Sequence, residues 1–301
     1  MEIEKQLVIG LPGTGKTTFL AALWQVVESE EVPGSLVVSE VHGIRDHLNR
    51  IREAWLNCQE LERTRIPAEK VVSFRLRNPQ SDKVVELSLP DLSGETYQLQ
   101  WQTRQWTPEF EKLASESCGA LLFVHPRTIV EPVRIDANIE AMAAALEKGN
   151  GTVESTEPVS GSAHLHSTEA TNLTATIESW SPAHTPTQVK LVEILQFLRA
   201  RPFMNRVLPI AVIVSAWDLI TDGQTPTEWV EKRLPLLYQF LRANAEAIPL
   251  EIFGISAQGG DLSRADELQN HIKTSDRIIV TALDHLPTHD ITAPLKWLQG
   301  R

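Results

Sequence analysis

Cysteine is scarce in this sequence, and its scarcity excludes one class of protein at once. Only Cys58 and Cys118 occur among 301 residues, too few for the disulfide framework of a small secreted domain. Such scarcity is typical of proteins kept in a reducing cytoplasm. The sequence also has no run of 18 apolar residues that could cross a membrane, and its first residues lack the pattern of a secretion signal. We therefore expect a cytoplasmic protein that does not bind a membrane.

Positive charge is also in short supply. There are 28 Lys and Arg residues against 39 Asp and Glu residues, which gives a formal net charge of −11. An acidic chain repels phosphate backbones, so direct binding of nucleic acid is disfavoured. Hydrophobic residues make up 42% of the sequence, close to ordinary globular usage, which excludes a chain that is disordered throughout.

Apolar runs predict buried strands after residue 119. Residues 120–124 and 208–214 are apolar in this way, and residues 250–255 are apolar except for Glu251, as parallel strands covered on both faces are. Helical periodicity occupies about 189–200 and 226–246. Buried strands that alternate with helices favour an α/β fold with a mostly parallel sheet.

Other patterns in the first half predict a hairpin and a helix. Apolar residues alternate over 71–76 and again over 84–89, with a turn-like Asn-Pro-Gln-Ser-Asp between them, which predicts two antiparallel strands. The apolar spacing over 44–63 predicts a helix. Residues 33–42 have no clear pattern.

One stretch breaks the alternation of strands and helices. Between Gly149 and Val189 there is no Lys or Arg, and Ser, Thr and Pro are frequent. A composition of this kind cannot build much core. We predict a single domain over residues 1–301 that carries a flexible surface insertion at about 131–190; a folded cap around Trp180 is the alternative.

The most specific motif is GLPGTGKT at residues 10–17, which matches G-x-x-x-x-G-K-[ST] in full, with an apolar strand before it and a helical pattern after it. Glycines let the backbone N–H groups of such a loop point at phosphate oxygens, and the helix that follows adds its positive end. We expect Lys16 to reach the β- and γ-phosphates and the Thr17 hydroxyl to ligate Mg²⁺. The predicted nucleotide-binding residues of this loop are Gly10, Pro12, Gly13, Thr14, Gly15, Lys16, Thr17 and Thr18.

An acidic residue follows the strand predicted at 84–89. A carboxylate at Asp91 can hold Mg²⁺, usually through a water, opposite Thr17. With Gly94 it forms D-x-x-G, whose glycine amide would sense the γ-phosphate in a switch GTPase. Glu95 falls where that class often has a water-orienting Gln, so it could either orient water or repel phosphate and slow the reaction.

Two segments that follow later strands bear on the choice of nucleobase. At Ser215–Asp218 and Gly254–Ala257 the chain resembles the translation-factor-like (TRAFAC) GTPases, with motifs in the expected order. The resemblance implies that Asp218 accepts the N1 and N2 hydrogens of guanine, and that the loop at Ser256 and Ala257 supports O6 through backbone N–H. Such a carboxylate selects guanine, because adenine offers an acceptor at N1 and a polar mismatch is costly.

The base-recognition segment departs from the N/T-K-x-D pattern of that class. Ser215 replaces Asn or Thr, and Ala216 replaces the Lys whose stem normally packs over the base. Trp217 could supply apolar surface in its place. The alternative interpretation of Asp218 is a helix cap near a strand end.

A finer resemblance is to the double-GTPase proteins of bacterial conflict systems, carried by residues 91–97, 187–191 and 290–298. It implies a Ras-like P-loop fold with a mostly parallel six-stranded sheet, one antiparallel strand and helices on both faces. It also implies GTP and GDP as substrate and product, Mg²⁺, and other proteins of a multi-component system for antiviral defence. Switch I would lie before the strand at 71, and Thr64 is its candidate Mg²⁺ ligand.

These features lead to one hypothesis and two alternatives. The hypothesis is a switch GTPase, slow without a partner, that hydrolyses GTP with Lys16, Asp91, Gly94 and Glu95 at its catalytic centre. The alternatives are a nucleotide-binding scaffold with little hydrolysis, and a P-loop ATPase or kinase-like phosphotransferase. Arginines that could act in cis at the phosphates are Arg63, Arg65 and Arg104.

Overall fold

The computed structural model describes residues 3–41, 43–61, 72–90, 95–132, 184–200, 206–282 and 285–300. The chain divides into two compact units, one of Met1–Ile129 with Thr187–Arg301 and the other of Val130–Pro186. In the second unit only residues 130–132 and 184–186 are described. The predicted insertion at about 131–190 therefore lies largely outside the described residues, and its last residues, from Thr187, begin a helix of the first unit.

The first unit is built on one sheet of nine strands. The strands are β1 (Ile3–Gly10), β2 (Val37–Val41), β3 (Val72–Arg77), β4 (Val84–Leu89), β5 (Gly119–Val124), β6 (Ile210–Ser215), β7 (Leu250–Ser256), β8 (Ile279–Ala282) and β9 (His285–Thr288). The described α-helices are α1 (Lys16–Ser29), α2 (Arg45–Leu56), α3 (Glu95–Thr103), α4 (Pro108–Glu116), α5 (Thr187–Arg199), α6 (Pro226–Arg233), α7 (Pro235–Ala243), α8 (Ala265–Gln269) and α9 (Ala293–Gln299).

The strands follow the order β2-β3-β4-β1-β5-β6-β7-β8-β9. The central pairs β4–β1, β1–β5, β5–β6 and β6–β7 are parallel, whereas the outer pairs at both edges are antiparallel. The predicted α/β class is confirmed, and so is the antiparallel hairpin, in which Val72 pairs with Leu89. The sheet has more strands than the predicted six, and more than one strand is antiparallel.

The strands that the sequence pattern missed all lie towards the edges of the sheet. β2 occupies part of the unclear stretch at 33–42, and β8 and β9 have four residues each. An edge strand has no neighbour on one side and need not carry a continuous apolar run. In β9, Leu286 is 87% exposed and Pro287 cannot donate to a ladder, which is tolerated at an edge.

Two predicted helices end earlier than their patterns suggest. The stretch at 226–246 forms two helices, because Pro235 lacks an N–H and disfavours a helical conformation at Leu234, whose φ and ψ are −133° and 54°. A capping box of Thr225 and Glu228 begins the first of them. The helix predicted at 44–63 ends at Leu56, and the described residues after it form a loop.

The core has two layers, one on each face of the sheet. In β5 the side chains of Leu121 and Phe123 point into one layer, and those of Ala120, Leu122 and Val124 into the other, as the two-residue period of a strand requires. Helices α1, α2 and α9 contribute to the first layer, and α4 to α7 to the second. This arrangement confirms helices on both faces. None of the described helices has the length and apolar character needed to cross a membrane.

The C-terminal segment 290–298 holds the sheet and its loops together. The Asp290 carboxylate accepts the backbone N–H of Thr292 at 2.9 Å and pairs with the ammonium of Lys296. The Thr292 hydroxyl accepts the backbone N–H of Leu36 at 3.2 Å, and Lys296 donates to the carbonyl of Gly34 at 2.9 Å. These contacts fix the chain just before β2, so this part of the resemblance has a structural role.

Candidate functional site

The turn between β1 and α1 is a tight loop that only glycine permits at its first position. A Cβ added at Gly10 would lie 2.7 Å from the Thr14 hydroxyl and 2.9 Å from the Cβ of Phe123. Gly13 and Gly15 have φ of 72° and 84°, in the left-handed region that favours glycine. Pro12 lies in this turn, and α1 begins directly after the turn, at Lys16.

Lys16 is directed into the loop and not toward solvent. Its side chain is 3% exposed, and its ammonium donates to the carbonyls of Gly10 at 2.8 Å and Leu11 at 3.0 Å. The Thr14 hydroxyl also donates to the Leu11 carbonyl, at 2.8 Å. Bonds from an ammonium to neutral carbonyls are weaker than the charge-assisted bonds it can make to a phosphate.

Ser215, at the end of β6, fastens this loop to the centre of the sheet. Its hydroxyl oxygen lies 2.9 Å from the carbonyl oxygen of Thr14 and 3.0 Å from that of Val124, so one buried proton serves both acceptors. A Cβ at Gly15 would approach the Ser215 side chain to 3.0 Å. The residue that departs from the expected Asn or Thr therefore supports the phosphate loop through its own hydroxyl.

A cavity of about 480 Å³ adjoins the loop. Gly15 and Thr18 line it on the side of the loop, and apolar side chains from α1 and from the ends of β5, β6 and β7 also line it: Phe19, Phe123, Ile213 and Ile255. Ligands of open α/β sheets bind at this carboxyl edge of the strands. The cavity and the phosphate loop thus form one continuous site, with room for a nucleobase beside the phosphates.

Asp218, in the wall of this cavity, is hydrogen-bonded to Ser256. The Ser256 hydroxyl, which is 1% exposed, donates to the Asp218 carboxylate at 2.5 Å and accepts the backbone N–H of Gly259 at 3.2 Å. Asp218 and Ala257 both line the cavity. The two predicted base-recognition segments are therefore joined by one hydroxyl, which holds the carboxylate in a fixed position. The short helical turn that contains Asp218 begins after Ala216 and has no side-chain cap, so Asp218 does not cap it, and its role in base recognition stays a prediction.

Trp217 does not supply the surface that the missing lysine would provide. A Cβ at Gly254 would lie 2.3 Å from Cδ2 of Trp217, so the indole packs flat against that glycine and belongs to the core. Ala216, which lines the cavity, has φ of 48°. The replacement of Lys by Ala leaves this side of the cavity without a long side chain from the motif itself.

His125, which follows β5, is another side chain in the cavity wall. Its Nδ1 accepts the backbone N–H of Arg127 at 3.1 Å, so the other ring nitrogen carries the proton in the neutral form. Burial and the nearby Arg127 cation lower the pKa of His125, while the Asp218 carboxylate acts in the opposite direction. A neutral imidazole therefore stands near Asp218 at neutral pH.

Several predicted residues lie outside the described residues. These are Asp91, Gly94 and Thr64, together with Arg63 and Arg65. Glu95 begins α3 with an exposed side chain. Two residues later, the buried Tyr97 hydroxyl donates to the carbonyl of Val8 at 2.8 Å, which fixes the start of α3 against β1.

Arg104 contacts two side chains of neighbouring helices. Its guanidinium pairs with Glu193 of α5 and stacks on Trp101 at 4.1 Å. In this structure the guanidinium of Arg104 therefore contributes to the packing of α3 against α5.

The fit of a magnesium ion can be judged from the described donors. Thr17 lies in the first turn of α1, directly after the lysine of the loop, and a hydroxyl oxygen is a ligand that Mg²⁺ accepts. A phosphate bound by the loop before it would supply further oxygens to that ion. The residues that the structure describes here suit the ion, and Asp91 is predicted as the second protein contribution.

The comparison with family models confirms the resemblance found in the sequence. The model described as Double-GTPase 1 matches residues 7–298, nearly the whole chain. This match supports guanine-nucleotide binding and a GTPase function, and it agrees with the predicted Ras-like class. No curated protein matches the chain.

Solved structures that are similar share little sequence with this chain. The bacterial selenocysteine-specific elongation factor EF-Sec is 12% identical with a TM-score of 0.37, over 90% of this chain and only 28% of that protein. The Arl6 BBS3 small GTPase from Trypanosoma brucei, with a bound nucleotide analogue, is 12% identical with a TM-score of 0.39, over 99% of this chain and 96% of that one. The signal recognition particle receptor complex from Chaetomium thermophilum is 11% identical with a TM-score of 0.39, over 85% and 92%.

Proposed function

This chain belongs to the Double-GTPase 1 family, and on that premise we propose that it binds GTP with Mg²⁺ and hydrolyses it to GDP and phosphate. The observation that carries the proposal is the continuity of the phosphate loop with the cavity that holds Asp218. Gly15 and Thr18 line that cavity from the loop, and Ser256 fixes the Asp218 carboxylate there. A triphosphate on the loop would place its base in this cavity.

The residues of the loop act on the phosphates in this proposal. The Lys16 ammonium exchanges the carbonyls of Gly10 and Leu11 for oxygens of the β- and γ-phosphates, and the backbone N–H groups at the start of α1 add positive potential. Thr17, with the predicted Asp91, would hold Mg²⁺, which when bound neutralises charge on the phosphates. Both contributions stabilise the charge that develops as the terminal phosphate leaves.

Hydrolysis requires a water in line with the terminal phosphate. The oxygen of that water forms a bond to the γ-phosphorus while the bond from this phosphorus to the bridging oxygen breaks. The electron pair leaves with GDP, and the proton of the water passes to a phosphate oxygen. Glu95, at the start of α3, is the proposed residue that orients the water. Its negative charge near phosphate also makes slow turnover the expected behaviour without a partner protein.

The proposal extends to a biological role as a nucleotide-controlled switch. In this view the switch loops change conformation when the γ-phosphate is lost. The resemblance to conflict-system proteins suggests that other proteins of a multi-component defence system read that change. We place the protein in the cytoplasm, where its free cysteines, Cys58 and Cys118, would remain reduced.

A nucleotide-binding scaffold is the second candidate, since Ala216 leaves the base pocket without its usual lysine. A single-turnover assay with protein in excess over labelled GTP separates the two. We expect phosphate release by the natural protein, no release by Lys16→Ala, and unchanged release by the surface control Lys5→Ala, whose ammonium pairs only with Glu116 in the described residues. Binding of GTP without release would favour the scaffold, and faster release from ATP would contradict the guanine assignment.

A further inference from the structure

The loop after α2 forms part of the cavity wall. Gln59, Glu60 and Leu61, which follow the end of α2, line the cavity together with Ala216 and Asp218. None of these three residues belongs to a recognised GTPase motif in this sequence. The position of this loop matters because it leads directly into the segment where switch I is predicted.

A buried hydrogen bond ties α2 to the base-recognition loop. The indole N–H of Trp55 donates to the carbonyl of Ala257 at 3.0 Å, and Trp55 is fully buried. Ala257 is the residue whose amide is proposed to support guanine O6. Its carbonyl is anchored by α2, and its neighbour Ser256 is anchored to Asp218 at 2.5 Å, so both sides of the recognising amide are held.

A buried arginine holds Trp55 in turn. The guanidinium of Arg277 stacks on the Trp55 ring at 3.6 Å, donates to the Trp55 carbonyl at 2.6 Å and approaches the Cys58 sulfur at 3.2 Å. Arg277 is 2% exposed, and no carboxylate pairs with it in the part of the chain that the structure describes. Burial lowers the pKa of Arg277, which reflects the cost of placing a cation there.

The backbone of the same arginine packs against the base-recognition loop at Gly259. A Cβ at Gly259 would lie 2.4 Å from the backbone oxygen of Arg277, so only glycine allows this close approach. The loop that begins at Ser256 is thus held between Trp55 and the backbone of Arg277. A buried cation that is stacked and hydrogen-bonded fixes one geometry at the expense of stability.

We propose that Trp55, backed by Arg277, is a positioning residue for guanine recognition, and that the loop after α2 is an additional wall of the base pocket. This inference rests on the proposed function. It assigns to α2 a role in the nucleotide site: the indole N–H sets the position of Ala257, and Ala257 reads O6. Base recognition is thereby connected, through Gln59 to Leu61, with the chain that leads into switch I.

The chain offers a matched control for this role. Trp24 is also fully buried, and it also lies beneath an arginine, Arg45. Its indole N–H donates at 3.0 Å to the side chain of Asn49, which belongs to α2. It does not line the cavity. Trp24→Phe therefore removes an equivalent bond from α2 without touching the base-recognition loop.

The test compares GDP with 2-aminopurine riboside diphosphate, which lacks O6 and also the N1 hydrogen, in equilibrium binding to the full chain. We expect Trp55→Phe to weaken GDP binding about fivefold, as the loss of one hydrogen bond would, and to weaken binding of the analogue less than about twofold. Trp24→Phe should leave the ratio of the two affinities unchanged. The proposal fails if Trp55→Phe does not move this ratio, or if both variants move it equally.

Circular dichroism and thermal melting establish that each variant is folded. Should Trp55→Phe not fold, Arg277→Lys provides the second variant, because it retains a cation but loses the forked contacts with Trp55 and Cys58. The ratio should then move in the same direction, and an unchanged ratio in folded Arg277→Lys overturns the inference. Failure of the natural protein to prefer GDP over ADP would instead overturn the proposed function itself.

Discussion

The cavity beside the phosphate loop and the C-terminal segment 290–298 both lie within the region that matches the family model, yet they use their polar residues differently. In the cavity, Asp218 is held by a hydroxyl and still faces a space that a ligand can enter. In the C-terminal segment, Asp290 and Lys296 pair with each other, and Lys296 also binds a backbone carbonyl. A shared motif can therefore mark either chemistry or the fold, and mutations should separate the two.

The largest effect is expected in the cavity, from Asp218→Asn. The variant should lose at least about a hundredfold in GDP affinity and gain affinity for xanthosine diphosphate, because an amide N–H can donate to the xanthine 2-oxygen. Competition binding with both nucleotides measures the change. Asp261→Asn is the control, since Asp261 lines the same cavity but its carboxylate accepts the Ser263 N–H. No change in base preference for Asp218→Asn would remove Asp218 from the pocket.

A smaller effect, on stability only, is expected in the C-terminal segment. Asp290→Ala should lower the free energy of unfolding by about 2 kcal/mol, because it leaves the partly buried Lys296 without its anion and Thr292 without its acceptor. The preference for GDP over ADP should not change. The exposed pair Arg264 and Glu267 supplies the control Glu267→Ala, which should change stability by less than about 0.5 kcal/mol. A shift in base preference by Asp290→Ala would contradict the division between the two regions.

Ser215 is expected to affect both stability and nucleotide binding, because it supports the fold and the site together. Ser215→Ala removes the hydroxyl that supports the carbonyls of Thr14 and Val124, so it should cost about 1 kcal/mol of stability and weaken GDP about fivefold. Because the phosphate loop and not the base is affected, ADP should weaken equally. Ser88→Ala is the matched control, since that buried hydroxyl has no partner among the described residues. Urea unfolding and nucleotide titration distinguish these outcomes.

The smallest effect concerns pH. Because the pKa of His125 is lowered in the folded protein from the ordinary value of 6.5, the unfolded chain takes up a proton first as the pH falls, and stability declines below that value. Urea unfolding between about pH 7.5 and about pH 5.5 should show a shallower decline for His125→Asn than for the natural protein. His47, whose pKa is also lowered by burial, should behave in the same way. An unchanged slope for His125→Asn would mean that the ring is not desolvated.

Local patterns predicted the parts of the site that are contiguous in sequence. The phosphate loop was recognisable from residues 10–17, because its glycines, Lys16 and Thr17 lie together in one short motif. The hairpin of β3 and β4 and the buried strands β5, β6 and β7 were also evident from apolar patterning. The extra strands at the sheet edges were not, because they are short and partly exposed.

The missed contacts join residues that are far apart in the chain. Ser215 supports Thr14 across 201 positions, and Trp55 binds Ala257 across 202. No periodicity or spacing rule links such positions, since only the folded sheet brings them together. Trp55 in the sequence is indistinguishable from any core tryptophan of an amphipathic helix, whereas in the structure its N–H selects one carbonyl.

The central claim is that the cavity beside the phosphate loop is a guanine site, and direct calorimetric titration tests it most simply. Nucleotide-free protein would be titrated with GDP and, separately, with ADP in the presence of Mg²⁺. The account predicts that GDP binds at least about a hundredfold more tightly than ADP. Equal affinities, or tighter binding of ADP, would contradict it.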